Sequence, residues 1–85
     1  MKNKLLINVS LPAAELSFDL YIPNNKKIGT IKQKIVNSIL SITNNSINIS
    51  AETVKIIDKD SGIEYENDMC IKDSGIKNGS KLVLV

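Results

Sequence analysis

The segment Ile71-Lys72-Asp73-Ser74-Gly75-Ile76-Lys77-Asn78-Gly79-Ser80-Lys81-Leu82-Val83-Leu84-Val85 constrains the fold more than any other part of this chain. Its last four residues are all apolar, Leu82 and Leu84 alternating with Val83 and Val85. A strand that is apolar on both faces belongs inside a sheet, flanked by partners on both edges. Just upstream, Ile71 and Ile76 bracket a tight turn and are expected to point into a core. Gly75 supplies a backbone angle that other residues resist, and the Asp73 carboxylate is expected to accept backbone N–H bonds within the turn. Asn78-Gly79 then reads as a second turn that feeds the final strand.

The other strands come from elsewhere in the chain. Leu5, Ile7, Val9 and Leu11 alternate with Leu6, Asn8 and Ser10, while Leu16, Phe18, Leu20 and Ile22 alternate with Ser17, Asp19 and Tyr21. Period-two alternation marks half-buried strands. Pro12-Ala13-Ala14-Glu15 between them predicts an N-terminal hairpin. After Pro23 the period changes. Ile28, Ile31, Ile35 and Ile39 lie three, four and four residues apart, with Val36 and Leu40 alongside, and form one stripe of an amphipathic helix. Lys32, Gln33, Lys34 and Asn37 are expected on its outer face. Either Asn25 or a Thr30-x-x-Gln33 box can cap its start; Gly29 near the entrance favours a start between those limits, and the end is expected near Leu40.

Ser41 to Glu52 reads as a long polar connection with room for a short helical turn. Thr53–Ile57 follows as a strand with Val54 and Ile56 inward, Asp58–Gly62 as a hairpin loop, and Ile63–Tyr65 as a short return strand. The expected order is β-β-α-β-β-β, an α+β chain of one domain spanning residues 1–85. A helix with one apolar stripe must cover one face of a mixed sheet, and the last strand is expected to run parallel to the first.

Chemistry-bearing residues are few. The chain has no histidine, which removes the commonest general base and metal ligand. It has one cysteine, and Cys70 has neither an imidazole to activate it nor a second thiol to pair with. Asp58, Asp60 and Glu64 form an acidic run far shorter than the roughly twelve-residue loop that encloses calcium. Gly75 and Gly79 do not sit between a strand and a helix, as a phosphate-cradling loop requires. No enzyme, no cofactor and no metal are therefore expected.

The net charge is +2, the lysines are dispersed among acids, and arginine and tryptophan are absent. That pattern argues against nucleic-acid binding. The uncharged stretch from Ile35 to Ala51 is too polar to span a bilayer, and the run Leu5-Leu6-Ile7 is too short for a secretion signal. A cytoplasmic protein is expected, consistent with its lone cysteine.

Binding remains. Alternation places Leu6, Ile57, Val83 and Val85 on the sheet face opposite the helix, with Val85 expected beside Leu6. Grouped apolar side chains on a solvent face mark interfaces, so these four are the candidate protein-binding residues.

The turn Ile71-x-Asp73-x-x-Ile76 leading into a final strand resembles the closing segment of ubiquitin-like β-grasp proteins. The chain as a whole resembles the bacterial YukD/EsaB family that accompanies type VII secretion systems. The matching residues are Phe18-Asp19-Leu20-x-Ile22-Pro23, Lys26-Lys27-Ile28, Val54-Lys55-Ile56, Glu66-Asn67-Asp68 and Ile71-x-Asp73-x-Gly75-Ile76-x-Asn78-Gly79-x-x-Leu82-x-Leu84. The resemblance implies a ubiquitin fold and a non-conjugated accessory or regulatory component of a secretion apparatus. Its expected partners are the cytoplasmic parts of that machine. The Asn- and Ser-rich stretch from Ser41 to Ser50 departs from the pattern. With Val85 in place of a Gly-Gly tail, neither conjugation nor sulfur-carrier chemistry is expected. A stand-alone β-grasp adaptor unrelated to secretion is the alternative reading.

Overall fold

The computed structural model describes residues 4–85. Strand β1 (Lys4–Leu11) and strand β2 (Leu16–Pro23) pair antiparallel without a break, from Lys4 opposite Pro23 to Leu11 opposite Leu16. Pro12 opens the 3-10 turn between them. Glu15 closes it in the left-handed region, at φ 53°, and donates its N–H to the Pro12 carbonyl. Helix α1 (Ile28–Ile42) follows, then strands β3 (Ile56–Asp58) and β4 (Lys81–Leu84). The sheet order is β2-β1-β4-β3. β4 lies between β1, to which it is parallel, and β3, to which it is antiparallel, which is the interior placement its apolar faces demand.

The helix stripe forms the centre of the core. Ile28, Ile31, Ile35 and Ile39 are each no more than 1% exposed, packed with Ile7, Val9, Ile22, Ile56, Leu82 and Leu84 from the sheet. Ile71 and Ile76 close the cluster, as the bracketing isoleucines of the turn should. One helix residue departs from expectation: Lys32 is buried rather than on the outer face. The buried arc of the helix includes it, so its methylenes lie along apolar surface. Among the described residues no buried side-chain nitrogen lacks a partner, so its ammonium reaches water.

The helix starts at Ile28, between the expected limits, and runs two residues past Leu40; at both ends backbone groups supply the caps, in place of the side chains expected at the start. Neither Asn25 nor the Thr30-x-x-Gln33 box caps the start, since the N-cap is Lys27 with no side-chain bond. The free N–H groups of Ile28 and Gly29 donate instead to the carbonyls of Met69 and Asn67, at 2.8 and 3.0 Å. The end runs to Ile42 and closes as a Schellman motif. Asn45 donates to Leu40, and Asn44 to Ser41, with Asn44 and Asn45 left-handed at φ 53° and 60°.

The segment expected as the fourth of five strands, Ile63–Tyr65, makes only a bridge between Glu64 and Ile57. Its pairing is limited to Asp58 N–H to the Ile63 carbonyl and Tyr65 N–H to the Ile56 carbonyl. The carbonyls of Asn67 and Met69 are needed at the helix start, so the chain leaves the sheet after Tyr65. β3 likewise begins at Ile56 rather than Thr53, because the N–H groups of Thr53 and Val54 are both spent on the Ser50 carbonyl in a turn. Ile47, Ile49, Ala51 and Val54 anchor the long connection against the core. No helix among the described residues is long and apolar enough to cross a membrane.

Candidate functional site

Period-two alternation and the strand registers together lay out the sheet face opposite the helix. Tyr21 on β2 stands level with Leu6 on β1. In the next row Asp19, Asn8 and Lys81 run across β2, β1 and β4. Beyond it, Ser17 and Ser10 lead to Val83 on β4 and Ile57 on β3, with Glu64 bridged to Ile57. Val85 extends the same side of β4 and exchanges both backbone bonds with Lys55.

The four sequence-selected residues therefore do not form one patch. Ile57, Val83 and Val85 cluster at one end of the face; Leu6 stands with Tyr21 toward the other. Leu6 lies four residues before Ser10, the partner of Val83, which is about 13 Å along the strand. Val85 is not beside Leu6, because β4 runs parallel to β1 and carries Val85 still farther away. The intervening row is polar: Asn8 donates to the Asp19 carboxylate at 3.1 Å and to the Ser17 hydroxyl at 3.3 Å.

Exposure separates the members further. Val85 is 58% and Tyr21 47% exposed, whereas Ile57 and Val83 are half-buried by their neighbours. Sequence reasoning missed Tyr21 as a member, although its place in the alternation already pointed it outward. Lys55 and Lys81, both exposed, flank the Ile57–Val83–Val85 cluster along β3 and β4, and the exposed Glu64 stands beside Ile57 at its outer edge.

Between the hairpin loop and the turns before β4 lies a polar groove of about 400 Å³, lined in part by Asp58, Ser61, Tyr65, Lys77 and Gly79. The Asp58 carboxylate accepts the Ser61 N–H at 2.8 Å, and bonding from Ser61 holds its pKa below the usual carboxylate value. Burial pushes the Tyr65 phenol up, and the Asp58 charge adds to that shift. A smaller, more apolar groove of about 270 Å³ runs between Leu11, Ala14, Ile47, Ile49 and Val54.

The turn before β4 is held differently from expectation. Ser74, not Asp73, supplies its side-chain bonds, donating to the Ile71 carbonyl at 2.6 Å and accepting the Ile76 N–H at 3.2 Å. Cys70 is half-buried, its Sγ 3.7 Å from the Asn24 carbonyl oxygen. No three His, Cys, Asp or Glu side chains converge among the described residues.

No protein-family model matches the sequence, and no curated protein matches it significantly. Solved structures do match in shape. The N-terminal ubiquitin-like domain of the 4931431F19Rik protein superposes with a TM-score of 0.76 at 16% identity, covering 98% of this chain and 74% of that one. A chain of the toluene 4-monooxygenase HD complex gives 0.78 at 13% identity, covering 96% of each chain. The ubiquitin of Caldiarchaeum subterraneum gives 0.69 at 15%, covering 95% of this chain and 90% of that one. With the helix packed on a β2-β1-β4-β3 mixed sheet and these neighbours in shape, the chain has the ubiquitin-like β-grasp fold.

Proposed function

We propose that the chain is a non-covalent protein-docking module whose contact surface is centred on Ile57, Val83 and Val85. The observation that carries this reading is an apolar cluster on the uncovered sheet face, bordered by Lys55 and Lys81. A partner segment with apolar side chains and flanking carboxylates is complementary to such a surface. Apolar contact supplies the affinity, and the charges set register and encounter rate. The reading contains no catalytic step and needs no cofactor. The partner class we favour is the cytoplasmic part of a type VII secretion machine, with this chain as an accessory or regulatory component. That choice rests on the sequence resemblance to YukD/EsaB proteins. The similar chain in the toluene 4-monooxygenase HD complex supports the more general idea of this fold as one member of an assembly.

The test is a titration of the isotope-labelled protein with purified cytoplasmic domains of the secretion ATPase and membrane components. Amide shifts should concentrate at Ile57, Val83, Val85, Lys55 and Lys81, and binding should weaken as salt rises. Shifts confined to α1 or to the 41–50 connection would move the interface. Binding to none of these components would leave the adaptor alternative in place of the secretion role.

A further inference from the structure

Asn78 is followed by Gly79, and that pair is chemically special. Glycine leaves its own backbone nitrogen sterically open, so this nitrogen can attack the carboxamide carbon of the preceding asparagine. Gly79 N bonds to Asn78 Cγ, the Cγ–Nδ2 bond breaks, and Nδ2 departs as ammonia. The proton of the Gly79 N–H passes through solvent to the leaving nitrogen. Water then opens the succinimide at either carbonyl, giving aspartate or isoaspartate at position 78. No oxidant or other reactant is needed.

In the fold, both reacting groups are held by the same residue. Asn78 Oδ1 accepts the Leu6 N–H at 2.8 Å, and the Gly79 N–H donates to the Leu6 carbonyl at 2.8 Å. The carboxamide is thus turned toward β1, and the nucleophile's proton is tied to a carbonyl rather than offered to solvent base. These two bonds begin the parallel β1–β4 seam, which continues as Asn8 N–H to the Ser80 carbonyl at 2.9 Å. We propose that Asn78–Gly79 is a fold-protected deamidation site, which reacts when the β1–β4 seam opens at Leu6.

The two products differ in consequence. An aspartate carboxylate still accepts the Leu6 N–H, so the seam can reclose. Isoaspartate adds a methylene to the main chain between residues 78 and 79. It displaces the Gly79 N–H from the Leu6 carbonyl, in the turn that sets the register of β4. Repeated opening therefore converts, through isoaspartate, into a permanent loosening of the central strand pair.

The experiment incubates the intact protein at mildly alkaline pH, native in one arm and urea-unfolded in the other. Peptide mapping with isoaspartate detection follows residue 78 in both. Deamidation should be about tenfold or more slower in the folded protein, equivalent to an opening free energy of about 1.4 kcal/mol or above. Amide exchange at Leu6 and Gly79, measured on the same sample, should rise with the deamidation rate as denaturant is added below the transition. Equal rates in the folded and unfolded arms would overturn the protection. An unreactive Asn78 in the unfolded arm would remove the site altogether.

Discussion

Lys32 shows how a single side chain can sit against its own polarity. Its methylenes belong to the buried arc of α1 while its charge stays in water, so it packs as an aliphatic residue. The isoleucines beside it have no such compromise. Ile35 and Ile31 are 0% and 1% exposed, and truncation to alanine removes transfer energy and leaves a cavity between helix and sheet. Ile31→Ala or Ile35→Ala should each cost about 2–5 kcal/mol in denaturant unfolding. Tyr65 offers a residue-level test by pH. Burial raises its pKa, with the Asp58 charge adding, so the folded state holds the phenolic proton more tightly than the unfolded chain. This contribution to stability is complete below the ordinary phenol value of about 10 and fades as pH rises through the folded value. In a Tyr21→Phe variant, ultraviolet titration should place the remaining phenol above that ordinary value. A midpoint at or below it would show that Tyr65 is neither buried nor close to Asp58.

At the level of elements, α1 begins on backbone partners that no local motif announces. Its start depends on the carbonyls of Asn67 and Met69, about forty residues away in sequence, and local capping rules see only neighbours. The same long-range demand ends the Ile63–Tyr65 pairing after a single bridge. The strands β1 and β2, the isoleucine stripe and the parallel β1–β4 pair were all legible, because period and burial coincide there. The candidate face was legible only residue by residue. Alternation says which side of the sheet Leu6 and Val83 occupy, but register decides whether they meet, and a parallel register set by the turn at Asn78-Gly79 is not written in either strand. The end of α1 was readable in kind, since Asn44-Asn45 are the residues that tolerate left-handed backbone. Asn44 should therefore respond to backbone freedom rather than to side-chain chemistry. Asn44→Gly should hold or raise the thermal midpoint, and Asn44→Val should cost about 1–2 kcal/mol, as a β-branched residue forced to positive φ. Equal effects of the two substitutions would exclude the left-handed cap.

Across the whole molecule, the sheet presents two apolar groups rather than one. Ile57, Val83 and Val85 adjoin Lys55 and Lys81, while Leu6 and Tyr21 lie beyond the polar row of Asp19, Asn8 and Lys81. A partner segment seated on the first group need not reach the second. Placing a carboxylate within the first group puts a charge where a partner's apolar side chains must exclude water, and those side chains offer it no hydrogen bond. Val83→Asp should therefore weaken partner binding by at least about tenfold, equivalent to 1.4 kcal/mol. Leu6→Asp, about 13 Å along β1 from the Val83 level, should change binding by less than about threefold, the range left to rim charges that alter mainly encounter rate. Val83 is half-buried, so Val83→Asp also loses stability, and both variants are compared at a temperature well below their own melting transitions. Calorimetric titration against the partner identified by amide shifts reads the two constants directly. Equal losses from the two variants would join the groups into one contact surface and require a partner wide enough to cover Asn8. A loss confined to Leu6→Asp would transfer the docking role to the Leu6–Tyr21 pair and away from β3 and β4.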